Sequence, residues 1–329
     1  MRELSCGSCA PRSFLAAGLA LALSACAAGG VEPVVERPGK LPSTARVADV
    51  PFHPQAEYYC GPASLQMLLG WSGEDVTQDD LAGQVYTPGK EGTLRSDLVA
   101  GVRRHGRLAV QIGSPAGGGA DAALRRLLAE LAAGHPVLVF QNLSLGIAPQ
   151  WHFAVAIGYD LPARELVLHS GRTEAKRVGL DAFARTWARG DRWALLALPP
   201  DRLPATAEQP TRMVEAAAGL ERAGRNAEAA TAYATILDRW PDSFAARMGR
   251  GNALYATQRY AEAAAAFRRA TDLRPEAAEA WNNLAYAEHA RGRADAALTA
   301  ARRAVKVAEP KAKGRYRDTL REIRGGPDA

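Results

Sequence analysis

"HPQAEYYCGPASLQMLLGW", residues 53–71, decides how the first half of this chain is read. A lone cysteine sits between two tyrosines and a Gly-Pro, just ahead of an apolar run with helical spacing. Pro62 falls inside the first turn of the helix expected over Pro62–Leu69, where its missing N–H is no loss. Cys60 therefore stands at a helix N-terminus, where unpaired N–H groups and the macrodipole favour negative charge. Gly61 is expected to leave room for a substrate carbonyl beside it. From these residues alone the thiol is an inert core group, half of a disulfide, or a nucleophile.

The other cysteines narrow the choice. Arg2 and Arg12 flank a short apolar stretch, Phe14 to Leu23, too short for a membrane span and of the kind found in export signals. Leu23-Ser24-Ala25-Cys26 follows it and resembles the lipobox of bacterial lipoproteins. That resemblance implies acylation of Cys26, loss of Cys6 and Cys9 with the signal, and a lipid anchor in the cell envelope. Ala27 after the cysteine points to the outer membrane, facing the periplasm. Cys60 then has no intrachain partner in an oxidising compartment.

Downstream, residues 27–47 read as a flexible tether rich in Pro, Gly, Ala and Val. Residues 48–199 mix helices (Thr77–Val85, Ser96–His105, Ala122–Ala133, 181–187) with apolar runs bounded by breakers (108–112, 136–140, 152–160, 165–170, 192–198). Helices first and strands later point to an α+β fold. A four-proline stretch at 198–210 reads as a linker, placed at 200–210.

From 211 onward the chain is alanine-rich and helical, with a period of 34: Gly224, Gln258 and Gly292 align, as do Ala229, Ala263 and Ala297, and Tyr233, Phe267 and Ala301. This pattern resembles three tetratricopeptide repeats over residues 211–310, closed by a capping helix over 311–325. Such an array implies a protein partner. Residues 211–329 carry 21 Lys and Arg against 15 Asp and Glu, whereas residues 1–210 carry 20 of each. Basic and aromatic residues do not interleave, and no zinc-finger or helix-turn-helix spacing occurs, so no nucleic-acid partner is expected. Nor is a metal or cofactor expected.

A nucleophilic thiol needs a base. Of the six histidines, His152 opens the strand "HFAVAIGYD". His105 and His135 adjoin glycines in loops where exposure is the default, His289 lies in the repeats, and His53 precedes a proline. "VPFHPQAEYYCGPASLQMLLGW" together with "HFAVAIGYD" resembles the bacteriocin-processing, double-glycine-type cysteine peptidases, a papain-like branch, over residues 48–199. The resemblance implies Cys60 as nucleophile, His152 as general base and Gln55 as oxyanion-hole donor, acting on a peptide bond. The family's orienting Asp is replaced: the corresponding place reads "LVLHSG", with Ser170 there and Gly171 after it. Asp160 is no substitute, since eight residues of strand put it roughly 26 Å from His152. A turn centred on 162–163 sets the partner of His152 near 171–173, within reach of Ser170 or His169. The alternative reading is a non-catalytic envelope scaffold. Acyl transfer to an amine would use the same residues as hydrolysis.

Overall fold

The computed structural model describes residues 31–90, 92–113, 119–144 and 147–325. Cys26, with the expected signal and lipobox, lies outside the described residues. The chain opens with a short helix α1 (Glu32–Glu36) and strand β1 (Thr44–Arg46). The helices α2 (Cys60–Trp71) and α3 (Gln78–Val85), a small hairpin of β2 (Tyr86–Thr87) and β3 (Gly92–Thr93), and α4 (Arg95–Arg104) come next. Then follow β4 (Leu108–Gln111), α5 (Ala120–Ala132), β5 (Val137–Asn142), β6 (Trp151–Asp160), β7 (Glu165–Ser170), β8 (Thr173–Gly179), α6 (Leu180–Arg189) and β9 (Ala194–Leu198).

The strands form one antiparallel sheet in the order β4-β9-β5-β6-β7-β8, with β1 also pairing with β6. Alternation along the strands supplies both faces. Val155 and Ile157 of β6 pack with Leu65 and Leu68 of α2 on one side. Ala154 and Ala156 pack with Leu124 and Leu127 of α5 on the other. The sheet is thus sandwiched between helices, and β6 is buried on both faces along most of its length.

Local chemistry explains several boundaries. Thr77 caps α3 by accepting from the Asp80 N–H, as its spacing predicts, a contact of about 1 kcal/mol. The β7–β8 turn contains only Gly171 and Arg172, and Gly171 has φ +64°. A glycine first in a two-residue hairpin loop suits the right-handed twist of the flanking strands.

The stretches expected as a tether and a linker are both held against the sheet domain. Residues 31–47, read above as tether, hold α1 and β1: Val31, Val34 and Val47 are buried, and Thr44–Arg46 pairs with Gly158–Asp160. The expected linker is pinned as well. Glu130, fully buried near the end of α5, accepts from the backbone N–H groups of Ala205 (3.1 Å) and Thr206 (2.8 Å) and from the Thr206 hydroxyl (2.5 Å). His135 Nδ1 completes the cluster at 2.8 Å from the same carboxylate. His135 is therefore buried, not exposed as its neighbouring glycine implied. Its ring also meets Trp71 edge-on.

The remaining helices are α7 (Pro210–Arg222), α8 (Asn226–Arg239), α9 (Phe244–Ala256), α10 (Tyr260–Leu273), α11 (Ala278–Ala290), α12 (Ala294–Val307) and α13 (Lys313–Gly325). They are paired antiparallel repeats followed by the expected capping helix. The aligned column Gly224, Gln258, Gly292 falls in the turn inside each pair, with φ of +74°, +61° and +73°. That left-handed turn is why glycine recurs there. Phe267 of α10 lies against Gly251 of α9, where any side chain would collide with its ring. Met213, Ala216 and Leu220 of α7 join the same apolar core as Leu108 and Val110 of β4, so the first repeat helix is docked on the sheet.

Candidate active site

Cys60 is the first residue of α2, and its helix has no side-chain cap at Tyr59. The backbone N–H groups of Phe153, Gly61 and Cys60 itself reach the sulfur. Phe153 directly follows His152 on β6, so the thiol lies against the strand that carries the expected base. Cys60, His152 and Gln55 all line one cleft of about 1050 Å³.

Behind His152 stands Ser170, its hydroxyl 2.9 Å from Nε2. The register explains the meeting. Val155 pairs with His169 and Ala156 with Leu168, which brings the end of β7 alongside the start of β6. With Nε2 donating to the Ser170 hydroxyl, Nδ1 is the nitrogen left to accept a proton. His169, the other candidate neighbour, is engaged elsewhere: its Nδ1 accepts from the Ala175 N–H, and its Nε2 sits 3.3 Å from the Val50 carbonyl. Asp160 is at the far end of β6, paired with Thr44 and Glu165, as the strand arithmetic requires.

Gln55 and its two neighbours are held from two sides. The Gln55 N–H donates to the Gly171 carbonyl at 3.1 Å. Gln78, at the start of α3, brackets it: its amide oxygen accepts from Ala56 N–H (3.0 Å) and its amide nitrogen donates to the Pro54 carbonyl (3.3 Å). The loop carrying the expected oxyanion donor is therefore fixed to both α3 and the β7–β8 turn.

Electrostatics departs from the expectation at the helix N-terminus. Burial pushes the Cys60 thiol up, and the three N–H donors offset only part of that. Burial and then the nearby Lys176 charge hold His152 down to about 4. The resting pair is thus a neutral thiol and a neutral imidazole. A hydroxyl in place of a carboxylate offers no charge to stabilise imidazolium.

Gly61 also does a different job from the one expected. A Cβ there would lie 2.4 Å from Thr93 Oγ1, so the missing side chain admits β3 and not a substrate carbonyl. Sequence reading missed Thr93, Gln78 and Lys176. Lys176 lies on β8, for which the preceding turn glycine, Gly171, was the available signal.

The cleft rim mixes apolar side chains with the charged Glu57, Arg95, Arg172 and Asp191. Tyr58, Leu94, Leu143 and Trp151 line it with their side chains largely exposed. Trp151 stacks on Phe140 at 5.0 Å, over which the Arg95 guanidinium also sits. Among the described residues, no group of three or more His, Cys, Asp or Glu could hold a metal ion. No described helix is long and apolar enough to cross a membrane.

The depressed His152 has a consequence for stability. Above about pH 6.5 neither folded nor unfolded chain protonates it. As pH falls from about 6.5 towards about 4, the unfolded chain takes up a proton that the folded one refuses. Stability is therefore lost in that window, by up to roughly 3 kcal/mol. His105 and His169, lowered chiefly by burial, act in the same direction. Urea unfolding at about pH 7 and about pH 4.5 measures the loss, which is expected to shrink in His152→Gln.

Residues 47–192 match the Peptidase_C39 like family, and residues 215–274 and 251–313 match the tetratricopeptide repeat. The chain joins a C39 peptidase-like α+β domain to a tetratricopeptide region. Similar solved structures include a protein from Bacillus anthracis assigned as a C39-like peptidase. It is 18% identical, covering 48% of this chain and 98% of that one, with a TM-score of 0.38. A second is the peptidase domain of Streptococcus ComA, a bi-functional ABC transporter involved in a quorum sensing pathway (18% identity, 46% and 99% covered, TM-score 0.36). A third is the MamA RS-1 ArsTM double mutant (17%, 35% and 75%, TM-score 0.30). No curated protein matches the chain.

Proposed function

We propose that this protein is a cysteine peptidase that cleaves peptide bonds through Cys60 and His152, held at the cell envelope by a lipid on Cys26. The observation that carries this reading is the convergence of Cys60, His152 and Gln55 on one cleft, with Ser170 bonded to Nε2 of the histidine.

Cys60 Sγ attacks the peptide carbonyl while His152 Nδ1 takes the thiol proton. The carbonyl oxygen, now negative, is met by the Gln55 amide and the Cys60 N–H, a donor pair of the kind that contributes a few kcal/mol. His152 returns the proton to the leaving amine, whose bond to the carbonyl carbon breaks. Water then attacks the thioester and gives a proton to His152, which passes it to the departing Cys60 sulfur as the acid is released. Because the resting pair is neutral, proton transfer accompanies attack and does not precede it, and turnover is slow beside an enzyme with a preformed ion pair. The exposed Tyr58, Leu94, Leu143 and Trp151 on the rim favour substrates with bulky apolar side chains near the scissile bond. The repeats hold a protein partner or the substrate itself.

Iodoacetamide labelling of Cys60 near neutral pH tests the pair. His152→Ala is expected to label more slowly, since the proton acceptor is gone. Equal rates in the two proteins would separate Cys60 from His152.

A further inference from the structure

Next to the Cys60 cleft lies a second cavity of about 400 Å³, built jointly by the peptidase-like half and the first repeat helix. β4 and Trp193 form one wall, and Arg212, Glu215 and Ala216 of α7 form the other. Arg95 and Asp191 line both this cavity and the catalytic cleft. They are ion-paired at 3.1 Å, so this bridge marks the boundary between the two spaces.

The second cavity carries unmatched positive charge. With Asp191 taken up by Arg95, Arg103 and Arg212 face Glu215 alone. Among the described residues neither Arg103 nor Arg212 has an acidic partner within ion-pair distance. Arg103 Nε is buried without a hydrogen-bond partner, although buried guanidinium N–H groups are costly to leave unpaired. Burial, and then the charge of nearby Arg222, disfavour its protonated form, the mark of a cation short of a counter-ion.

The backbone around the bridge is committed to this arrangement. Asp191 and Arg192 have φ of +59° and +52°, two successive non-glycine residues in the left-handed region. Such conformations persist only where the surroundings impose them, and they gather at functional sites. Gly219 of α7 gives Arg103 its place, because a Cβ there would lie 2.5 Å from Nε. The cavity exists only because the repeat helix is docked, which gives the fusion of the two halves a role in the site.

We infer that this cavity is an acidic subsite: a Glu or Asp side chain of the peptide lying in the Cys60 cleft passes the Arg95–Asp191 bridge and is bound by Arg103 and Arg212. The inference rests on the peptidase reading for its substrate, and adds that the repeats help to select that substrate.

A random dodecapeptide library displayed on mRNA, selected against the full chain carrying Cys60→Ala, tests it. The selected pool is expected to be enriched in Asp and Glu at a fixed place. Changing that residue to Gln or Asn is expected to weaken binding about tenfold, the equivalent of one charge-assisted hydrogen bond. The same change is expected to have little effect once Arg212→Ala is added. Arg212 is exposed, so that variant is expected to fold, and thermal unfolding checks it. A pool without acidic enrichment, or an acidic preference that survives Arg212→Ala, overturns the subsite. Phosphate binding that depends on Arg212, with no acidic preference among the peptides, assigns the cavity to a small anion and also overturns it. The peptidase reading fails separately. Cleavage of selected peptides by the wild-type protein without acidic preference sinks only the subsite, whereas Arg212-dependent acidic binding without Cys60-dependent cleavage sinks only the peptidase.

Discussion

Ser170→Asp is expected to speed alkylation of Cys60 at neutral pH by about tenfold or more. The wild-type hydroxyl sits 2.9 Å from His152 Nε2 but brings no charge. A carboxylate there would stabilise imidazolium by roughly 1.4 to 4 kcal/mol, the usual range for an opposite charge in contact. His152, now held down to about 4 by burial and by Lys176, would rise towards neutrality. A thiolate–imidazolium pair would then form over a pH interval where the wild-type protein has a neutral pair. The wild-type alkylation rate is expected to climb with pH as the raised thiol ionises, whereas the Asp variant gains a shoulder on the acid side. Lys176→Gln should move the profile the same way by less, since it removes the second of the two causes and leaves burial intact. If neither variant changes the profile, Ser170 and Lys176 do not govern His152.

Glu130→Ala is expected to destabilise the protein by about 3 to 5 kcal/mol, the cost of breaking a buried charged cluster by removing one partner. One carboxylate serves Ala205 N–H, Thr206 N–H, the Thr206 hydroxyl and His135. Truncation leaves three part-buried donors and the buried His135 without their acceptor. Because these bonds fasten residues 205–206 to α5, amide exchange at Ala205 and Thr206 should accelerate ahead of global unfolding. Glu130→Gln keeps one acceptor oxygen and should fall between the two. A loss below about 0.5 kcal/mol, the range of ordinary surface changes, would contradict the anchoring role.

Some of this was legible in the sequence, and the reasons are physical. The helix after Cys60, the Thr77 cap and the β6–β7 hairpin rest on neighbours a few residues apart, where local pattern decides the outcome. The 34-residue period was readable because each copy repeats the same left-handed turn and the same close helix crossing. Strand arithmetic across the hairpin also put Ser170 near His152 and Asp160 far from it. By contrast, β1 exists only through pairing with β6 more than a hundred residues away, so Thr44–Arg46 carries little signal of its own. β8 was missed because it is largely exposed and lacks an apolar face. The buried Glu130 cluster joins two segments 75 residues apart in sequence. The protonation of Cys60 and His152 depends on how deeply they are buried and on Lys176 from the missed strand. No local feature of "YYCGP" reports either.

If Cys60 cleaves peptide bonds, cell-envelope peptides from cells carrying the wild-type protein differ from those of cells carrying Cys60→Ala. Mass spectrometry is expected to find a set of new peptide termini that depend on the thiol, with bulky apolar residues near the cut and an acidic residue at a fixed distance. Identical peptide sets, together with full function of the Cys60→Ala strain, would contradict the peptidase account and leave a scaffold in which both halves only bind.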